Sequence, residues 1–278
     1  MIYNPSEILD RVFFNKYLSF VIPVLNFLIT LFKQQKKVIT YYSREFQRWI
    51  SKEKNCFLTI DTRPYWNISY SKLKQKTKEI CCKHYFPKNT DVVLDVGAGI
   101  GTESIVFSNQ LNDEARIFAI EANPHTFKSL KMLREMNGFG NLYPYNLAVG
   151  DKQDNIYISD RENHEANLIF KTPMNEICIE IEMVSLDTFI SENEIKSIDF
   201  LKMNIEGAEM KAIEGMKETL KLTKNIAISC HDFLFDHDDM RIKTHITECL
   251  QKNKFNVFTN NTGHPVKDSW IYGNKTSI

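Results

Sequence analysis

The chain has 278 residues, which fits one or two domains and is long enough to bury a sizeable hydrophobic core. Hydrophobic residues make up 43% of the sequence and charged residues 25%, the balance of an ordinary globular protein. Lysine plus arginine and aspartate plus glutamate number 35 each, so the overall charge gives no argument for a nucleic-acid partner, and we predict none.

An apolar run occupies residues 17–32, and lysines follow it up to residue 37. A helix that spans a bilayer needs about 20 apolar residues. This run is shorter, contains Pro23 and Asn26, and is followed by no small-residue cleavage site. Two interpretations stay open: a helix packed on the rest of the chain or on a second copy in a homodimer, or an interfacial helix whose residues 17–37 contact anionic lipid peripherally on the inner face of a membrane.

The region after this run is polar with scattered aromatic side chains, and residues 70–83 have helical spacing. We expect a helical N-terminal extension over residues 1–85, which acts as a cap on a site formed by later residues. Residues 86–278 are predicted to form the domain that carries this site. The six cysteines show no C-x-x-C pair and no zinc-ligand spacing, so we interpret them as reduced thiols in a cytoplasmic protein.

From residue 91 onward, short apolar strands alternate with helical stretches. The predicted strands are "DVVLDV" at 91–96, "ARIFAIE" at 115–121, "LYPYNLAV" at 142–149, "IDFLKMNIE" at 198–206 and "NIAISC" at 225–230. Such alternation predicts βαβ units, and therefore an α/β fold with a mostly parallel sheet. Pro144 favours an edge position for the third strand, because proline cannot donate to a neighbouring strand.

Other local signals predict where single elements begin, end or pair. Asn123 and Pro124 are expected to start a helix that Gly138 ends. Residues 155–184 contain alternating stretches, which we interpret as an antiparallel β insertion with one solvated face. Near the C-terminus, a helix around 239–253 is followed by "FNVFT" and "SWIYG", which we expect to pair antiparallel.

Residues 94–104 read "LDVGAGIGTES", a strand followed by a glycine-rich turn and the start of a helix. This order is typical of a nucleotide cradle, because glycines let the backbone approach a ligand closely. The spacing G-x-G-x-G differs from the dinucleotide spacing G-x-G-x-x-G. Asp95 at the strand tip would repel a pyrophosphate and attract an ammonium group. The loop therefore favours S-adenosylmethionine, which has an amino acid tail, a sulfonium and no phosphate.

Glu121 ends the second strand, where a carboxylate accepts hydrogen bonds from ribose hydroxyls. A dinucleotide fold uses the same position, so Glu121 does not discriminate between the two cofactors. An adenine is normally held near the ends of the third and fourth strands, where Asn146 and Ala148 lie; Asn146 either bonds the base edge or is a strand residue that faces solvent. Asn204 would orient either the methionine end of the cofactor or the acceptor. The full predicted cofactor set is Asp95, Gly97, Ala98, Gly99, Gly101, Thr102, Glu121, Ala122, Asn146, Ala148 and Asn204.

The strings "VVLDVGAGIGTES", "IFAIEANP", "NLAVGD", "VSLDTF", "DFLKMNIEGAEMKAIEGM" and "SCHDF" occur in this order. Together they resemble the FkbM-type S-adenosylmethionine-dependent methyltransferases over about residues 88–260. The resemblance implies a Rossmann-like class I fold, with a seven-stranded sheet, helices on both faces and an antiparallel final strand. It also implies methyl transfer, usually to a hydroxyl oxygen of a sugar, glycolipid or secondary metabolite.

The chain departs from this family at one position. The family string is most often K-x-D-x-E-G, and Asn204 stands where the aspartate is expected. Asparagine keeps the hydrogen-bonding capacity of that side chain and loses its charge. A role of the aspartate as a base or metal ligand would therefore be weakened in this chain, whereas a role in orienting a ligand would persist.

Methyl transfer to an alcohol needs alignment of the acceptor oxygen and benefits from a nearby base. His231 is the first candidate base, because it lies just past the fifth strand and histidine titrates near neutral pH; Asp232 would orient it or act beside it. The alternative is a histidine that caps the strand and only makes hydrogen bonds. Lys202 and Glu206 share one face of the fourth strand, either as catalytic groups or as a buried ion pair that fixes the loop. We predict no essential metal.

Two other functions stay open. A nicotinamide-dependent reductase would use the longer glycine spacing and would have no aspartate at the first strand tip. A non-catalytic scaffold with a methyltransferase fold, acting at a membrane, would bind the cofactor weakly or not at all.

Overall fold

The structure is a computed structural model, and it describes residues 38–62, 68–159, 169–170, 178–230 and 242–275. The apolar run at 17–32 and the candidates His231 and Asp232 lie outside the described residues. Among the helices in the described ranges, none has both the length and the apolar character needed to cross a membrane.

The secondary structure elements are numbered along the described parts of the chain. The strands are β1 (Val38–Ser43), β2 (Arg48–Glu53), β3 (Cys56–Asp61), β4 (Val92–Val96), β5 (Arg116–Ile120), β6 (Leu142–Tyr145), β7 (Ala148–Gly150), β8 (Asp154–Ser159), β9 (Ile169–Phe170), β10 (Cys178–Ser185), β11 (Ile198–Met203), β12 (Thr223–Ser229), β13 (Asn256–Thr259) and β14 (Trp270–Asn274). The helices are α1 (Tyr70–Glu79), α2 (Thr102–Gln110), α3 (Pro124–Asn137), α4 (Leu186–Glu192), α5 (Glu209–Glu214), α6 (Lys217–Leu222), α7 (Ile242–Lys252) and α8 (Pro265–Asp268).

The main sheet has seven strands in the order β13-β14-β12-β11-β4-β5-β6. Strands β6, β5, β4, β11 and β12 pair in parallel, and β14 lies antiparallel to both β12 and β13. The predicted mostly parallel seven-stranded sheet with an antiparallel final strand is therefore confirmed. Pro144 lies on β6, the edge strand, where the missing N–H leaves no neighbouring strand unpaired.

Both faces of this sheet are buried, which explains why its strands are nearly continuous runs of apolar residues. Leu94 and Val96 pack in a cluster with α4, α5, α6 and α7. Val93, which points to the opposite face, packs with Phe107 of α2 and with Phe200 of β11. Helix α3 starts and ends as predicted, with the Asn123 side chain accepting from the first-turn amides and Gly138 at φ 68°.

The predicted third strand is wrong in its second half. It ends at Tyr145, and Ala148–Gly150 forms β7 in a separate sheet of order β7-β10-β8-β9. The Asn146 side chain explains the break, because its amide donates to the carbonyl oxygens of Glu121 and Ala122 and turns the chain away from β5.

The predicted β insertion is confirmed in its described residues. Strands β8 and β10 pair antiparallel. Ile181 and Met183 of β10 are buried, whereas Glu180 and Glu182 are exposed. One face of the insertion is therefore solvated, as its alternating sequence indicates.

The expected helical extension is wrong for residues 38–61, which form a three-stranded antiparallel sheet of β1, β2 and β3. β-branched and aromatic side chains are frequent in these strands, and Ile50, Leu58 and Ile60 bury one face against α2 and α3. The Asn137 side chain fixes this contact, since it donates to the Phe57 carbonyl and accepts from the Phe57 amide, each at 2.9 Å. In the described part of the extension, the helix predicted at 70–83 is confirmed over residues 70–79, as α1.

Candidate active site

The glycine loop connects β4 to α2 and lies against the end of β11. Gly97 has φ +72°, and a Cβ atom built there would lie 1.9 Å from the backbone carbonyl oxygen of Asn204. The Asn204 amide in turn donates to the Val96 carbonyl at 3.0 Å. Glycine is therefore required at residue 97 because two backbones touch, which leaves no room for a side chain.

The other two glycines have different surroundings. A Cβ atom at Gly101 would lie 2.7 Å from Leu133 and 2.9 Å from Leu130, so this glycine lets α2 pack closely on α3. Gly99 has φ +58° and nothing within 4 Å of the position of a Cβ atom. The open side of the loop is therefore at Gly99, and this is where a ligand has access to the backbone.

Glu121 lies beside this open position. Its Oε2 accepts a hydrogen bond from the Gly99 amide at 2.9 Å, and its Oε1 accepts one from the Asn123 amide at 2.9 Å. The residue is half-buried. A carboxylate at the end of this strand can accept hydrogen bonds from the hydroxyl groups of a ribose.

Asp95 has a different environment from the one that its position in the sequence indicates. Its side chain is 0% exposed, and its Oδ1 lies 2.9 Å from Nζ of Lys202. Its Oδ2 accepts from the hydroxyl of Ser104 at 2.7 Å. The carboxylate therefore lies beneath the loop, neutralised by a lysine, and not at a surface that a ligand contacts.

Lys202 is 2% exposed and donates from Nζ to the Gly97 carbonyl at 2.7 Å. Burial lowers the pKa of Lys202, but the charges of Asp95 and Glu103 and the hydrogen bond to Asp95 raise it by more, so its pKa lies above its ordinary value. A buried ammonium that holds its proton cannot act as a base. The interpretation that Lys202 pairs with Glu206 is corrected, because its partner is Asp95 while Glu206 is exposed.

The turn after β11 has an unusual backbone. Glu206 has φ +52° and Gly207 has φ +100°. Glu209 is fully buried, and its carboxylate accepts from the Ile205 amide at 3.1 Å and from the Gly207 amide at 2.9 Å. A left-handed conformation costs a residue with a Cβ atom about 1–2 kcal/mol. The buried Glu209 carboxylate holds this turn, and the exposed Glu206 side chain lies at the carboxyl end of β11.

Among the remaining predicted cofactor residues, the polar side chains are partly engaged in hydrogen bonds. Asn146 uses its amide hydrogens on the backbone carbonyls of Glu121 and Ala122, at 2.8 and 2.9 Å, which leaves its Oδ1 as an acceptor. Thr102 donates its hydroxyl to Glu103 at 2.8 Å. Ala98 and Ala148 are buried.

Sequence reasoning missed Glu103 and Ser104, the residues that follow Thr102 in the first turn of α2. Ser104 binds Asp95, and the half-buried Glu103 is one cause of the raised Lys202 pKa. Their polar character directly after the third glycine was the available signal. Within the described ranges, no group of three or more histidine, cysteine, aspartate or glutamate side chains is arranged to hold a metal ion.

Comparison with known proteins gives a family for this site. The methyltransferase FkbM domain model matches residues 95–251. The 2-O-methyltransferase NoeI of Sinorhizobium fredii is 26% identical over 155 residues, which cover 50% of this chain and 63% of that protein. The hexuronic acid methyltransferase AglP of Haloferax volcanii is 23% identical over 175 residues, which cover 59% of this chain and 69% of that protein.

Solved structures include a crystal structure of methyltransferase FkbM from Methylobacillus flagellatus KT, at 17% identity and a TM-score of 0.48. The match covers 69% of this chain and 45% of that one. The chain thus spans less than two thirds of NoeI and less than half of the crystallised protein.

Proposed function

The chain belongs to the FkbM methyltransferase family, and from this premise we propose that it is an S-adenosylmethionine-dependent O-methyltransferase. The proposed acceptor is a hydroxyl group on a sugar, a glycolipid or a secondary metabolite. The observation that carries the proposal is the arrangement of Glu121 beside the open backbone of Gly99, at the carboxyl edge of β4 and β5. The name of AglP, a hexuronic acid methyltransferase, supports a sugar as the acceptor class, and the name of NoeI, a 2-O-methyltransferase, supports methylation of an oxygen.

The residues present fit an adenosine cofactor without phosphate. Gly99 offers open space where its backbone is accessible, and Glu121 offers acceptor capacity for ribose hydroxyls at the same place. Asn146 retains Oδ1 as an acceptor for the amino group of an adenine. Glu103 and Glu121 leave negative charge around the loop after Asp95 is neutralised by Lys202, which disfavours a pyrophosphate and suits a cation.

S-adenosylmethionine, when bound, supplies an electrophilic methyl carbon attached to a sulfonium. The chain has to hold the acceptor oxygen in line with that carbon and to accept the hydroxyl proton. Glu206 is the described candidate for the proton, because its exposed carboxylate lies at the carboxyl end of β11. His231, oriented by Asp232, is the second candidate, from outside the described residues.

Asn204 is proposed to orient a ligand and not to act as a base. Its backbone amide donates to the Val96 carbonyl and its backbone carbonyl lies against Gly97, so the residue is held at the end of β11 with its side chain half-buried. The amide side chain donates and accepts hydrogen bonds but takes up no proton at neutral pH. Proton acceptance therefore falls to Glu206 or His231.

Two measurements test the proposal against the alternatives. Calorimetry with S-adenosylmethionine and, separately, NADH and NADPH should give binding only to the first, because the loop lacks the spacing for a pyrophosphate. Incubation with methyl-labelled cofactor and a host metabolite extract, followed by mass spectrometry, should then identify a labelled product. Binding of NADH alone would favour a reductase, and no binding of any cofactor would favour the scaffold.

We also propose that the protein works in the cytoplasm, with residues 17–37 as a peripheral contact to anionic lipid. Sedimentation of the full chain with phosphatidylserine vesicles tests this contact, and K33E/K36E/K37E should reduce it. Equal sedimentation of both proteins would contradict the contact. Gel filtration of the same proteins tests the alternative of a homodimer through this segment.

A further inference from the structure

We propose that Lys202 is a positioning residue that fixes the part of the glycine loop which receives the amino acid tail of the cofactor. This inference rests on the proposed function, because it assigns a role within the same cofactor site. It replaces the prediction that Lys202 is catalytic. The contacts of a single buried nitrogen atom carry it.

The Lys202 ammonium joins three parts of the site. It lies 2.9 Å from Oδ1 of Asp95 and donates to the Gly97 carbonyl at 2.7 Å. Lys202 and Asp95 are also direct partners in the parallel pairing of β11 with β4, so their side chains leave the sheet on the same face. The Ser104 hydroxyl donates to the other oxygen of Asp95 and thereby includes the first turn of α2.

The first peptide groups of the loop are held on several sides. The amides of Gly97 and Ala98 both donate to the Ile120 carbonyl, at 2.9 and 3.0 Å. The Asn204 carbonyl closes the space where a side chain on Gly97 would lie. The Lys202 ammonium takes the remaining group, the Gly97 carbonyl. Among the described residues, the Lys202 ammonium is the charged group that binds this peptide. Removing the lysine would leave the Gly97 carbonyl without that partner.

The order of the strands separates Lys202 from the ribose end of the site. Lys202 is on β11, Glu121 follows β5, and β4 lies between them. Neighbouring strands are about 4.8 Å apart, so the two positions are about 10 Å apart. If the ribose of the cofactor binds Glu121, the chain attached to that ribose extends toward Lys202. Lys202 should therefore affect the amino acid tail, whereas Glu121 should affect the nucleoside.

Stability alone does not explain the ion pair between Lys202 and Asp95. Buried ion pairs are weak evidence for stability, since well-packed apolar replacements are often equally stable. The pair lies directly under the backbone of a ligand loop, where a fixed geometry lowers the ordering cost of binding. We therefore expect its removal to be seen in ligand affinity even when the fold is intact.

The experiment uses isothermal titration calorimetry of the full chain with two probes. S-adenosylmethionine has the amino acid tail and a sulfonium charge, whereas 5′-methylthioadenosine keeps adenine and ribose but has a neutral thioether and no tail. S-adenosylhomocysteine, a neutral thioether with the tail, controls for the charge and should follow S-adenosylmethionine. K202M should lower the affinity for S-adenosylmethionine about tenfold or more and change that for 5′-methylthioadenosine less than about threefold. E121A should weaken both probes. K224M, which removes an exposed lysine of β12 that pairs with Asp199 of β11, should weaken neither.

The variant D95N/K202M guards against failure of K202M to fold, because it leaves no unpaired charge in the buried site. It should show the same selective loss, since the Gly97 carbonyl again lacks its ammonium partner. Unchanged affinity for S-adenosylmethionine in both variants, or an equal loss for the two probes, would overturn the inference while the proposed function stands. A wild-type chain that binds neither probe would overturn both.

Discussion

Strand β11 contributes one residue to a lysine–aspartate pair near each of its ends, and the two pairs have different surroundings. At its amino end, Asp199 lies 2.6 Å from Nζ of Lys224, whose side chain is 59% exposed. Near its carboxyl end, Lys202 lies 2.9 Å from Asp95, and both are almost fully buried beneath the glycine loop. The same two residue types thus form an ordinary surface pair at one end and part of a ligand site at the other. Burial and position decide the role, and the residue types do not.

The largest expected effect is a difference in stability between variants of these two ion pairs. K202M leaves the buried Asp95 carboxylate without its partner and should lower the free energy of unfolding by about 3–5 kcal/mol. K224M removes an exposed partner and should cost about 0–1 kcal/mol. Urea denaturation followed by circular dichroism measures both. Equal losses in the two variants would show that burial of the Lys202 pair is energetically unimportant.

A second comparison is between glycines on the two sides of the loop. G97A places a methyl group against the Asn204 carbonyl and should cost about 2–4 kcal/mol of stability, from the clash and from the positive φ. G99A has open space and should cost about 1–2 kcal/mol, from its φ alone. The same denaturation measurement applies, and a larger loss in G99A would contradict the assigned surroundings. G99A should nevertheless weaken binding of S-adenosylmethionine, because the methyl group lies on the ligand side.

Glu121 provides a variant in which binding should change more than stability. E121Q keeps the shape of the side chain but loses the charge and one acceptor oxygen. It should weaken S-adenosylmethionine about tenfold, which corresponds to about 1.4 kcal/mol. The free energy of unfolding should fall by only about 1 kcal/mol, because one of the two backbone amides that donate to Glu121 loses its acceptor. Calorimetry and urea denaturation of one preparation check both values, and a loss of stability without a loss of affinity would contradict a ribose role.

The smallest expected effect is the pH dependence that Lys202 contributes. Its folded-state pKa lies above the ordinary lysine value of about 10.4. The ion pair therefore contributes its full stabilisation below that value, and loses it as pH rises through the folded-state pKa. The stability difference between wild type and D95N/K202M should be constant from about pH 6 to 9 and should shift in favour of the variant in more alkaline solution. A change in this stability difference within the neutral pH range would show that a group other than Lys202 titrates.

Several elements were predictable because their signals are local. The caps of α3, the alternation in β8 and β10 and the edge position of Pro144 each depend on a few neighbouring residues. The N-terminal sheet was missed, although β1, β2 and β3 contain many β-branched and aromatic residues, because short apolar runs do not distinguish a strand from a helix. Its apolar face is explained only by α2 and α3, which cover it.

The sequence by itself determined the parallel sheet, the glycine loop, the position of Glu121 and the family. Local periodicity, turn chemistry and motif order are sufficient for these features. Only the tertiary structure decided that Asp95 is neutralised, because its partner depends on the register of β4 against β11. Lys202 and Gly97 are 105 residues apart, and no pattern in the chain specifies that contact. A charge read from the sequence has a sign, but its environment in the fold decides what that charge contacts.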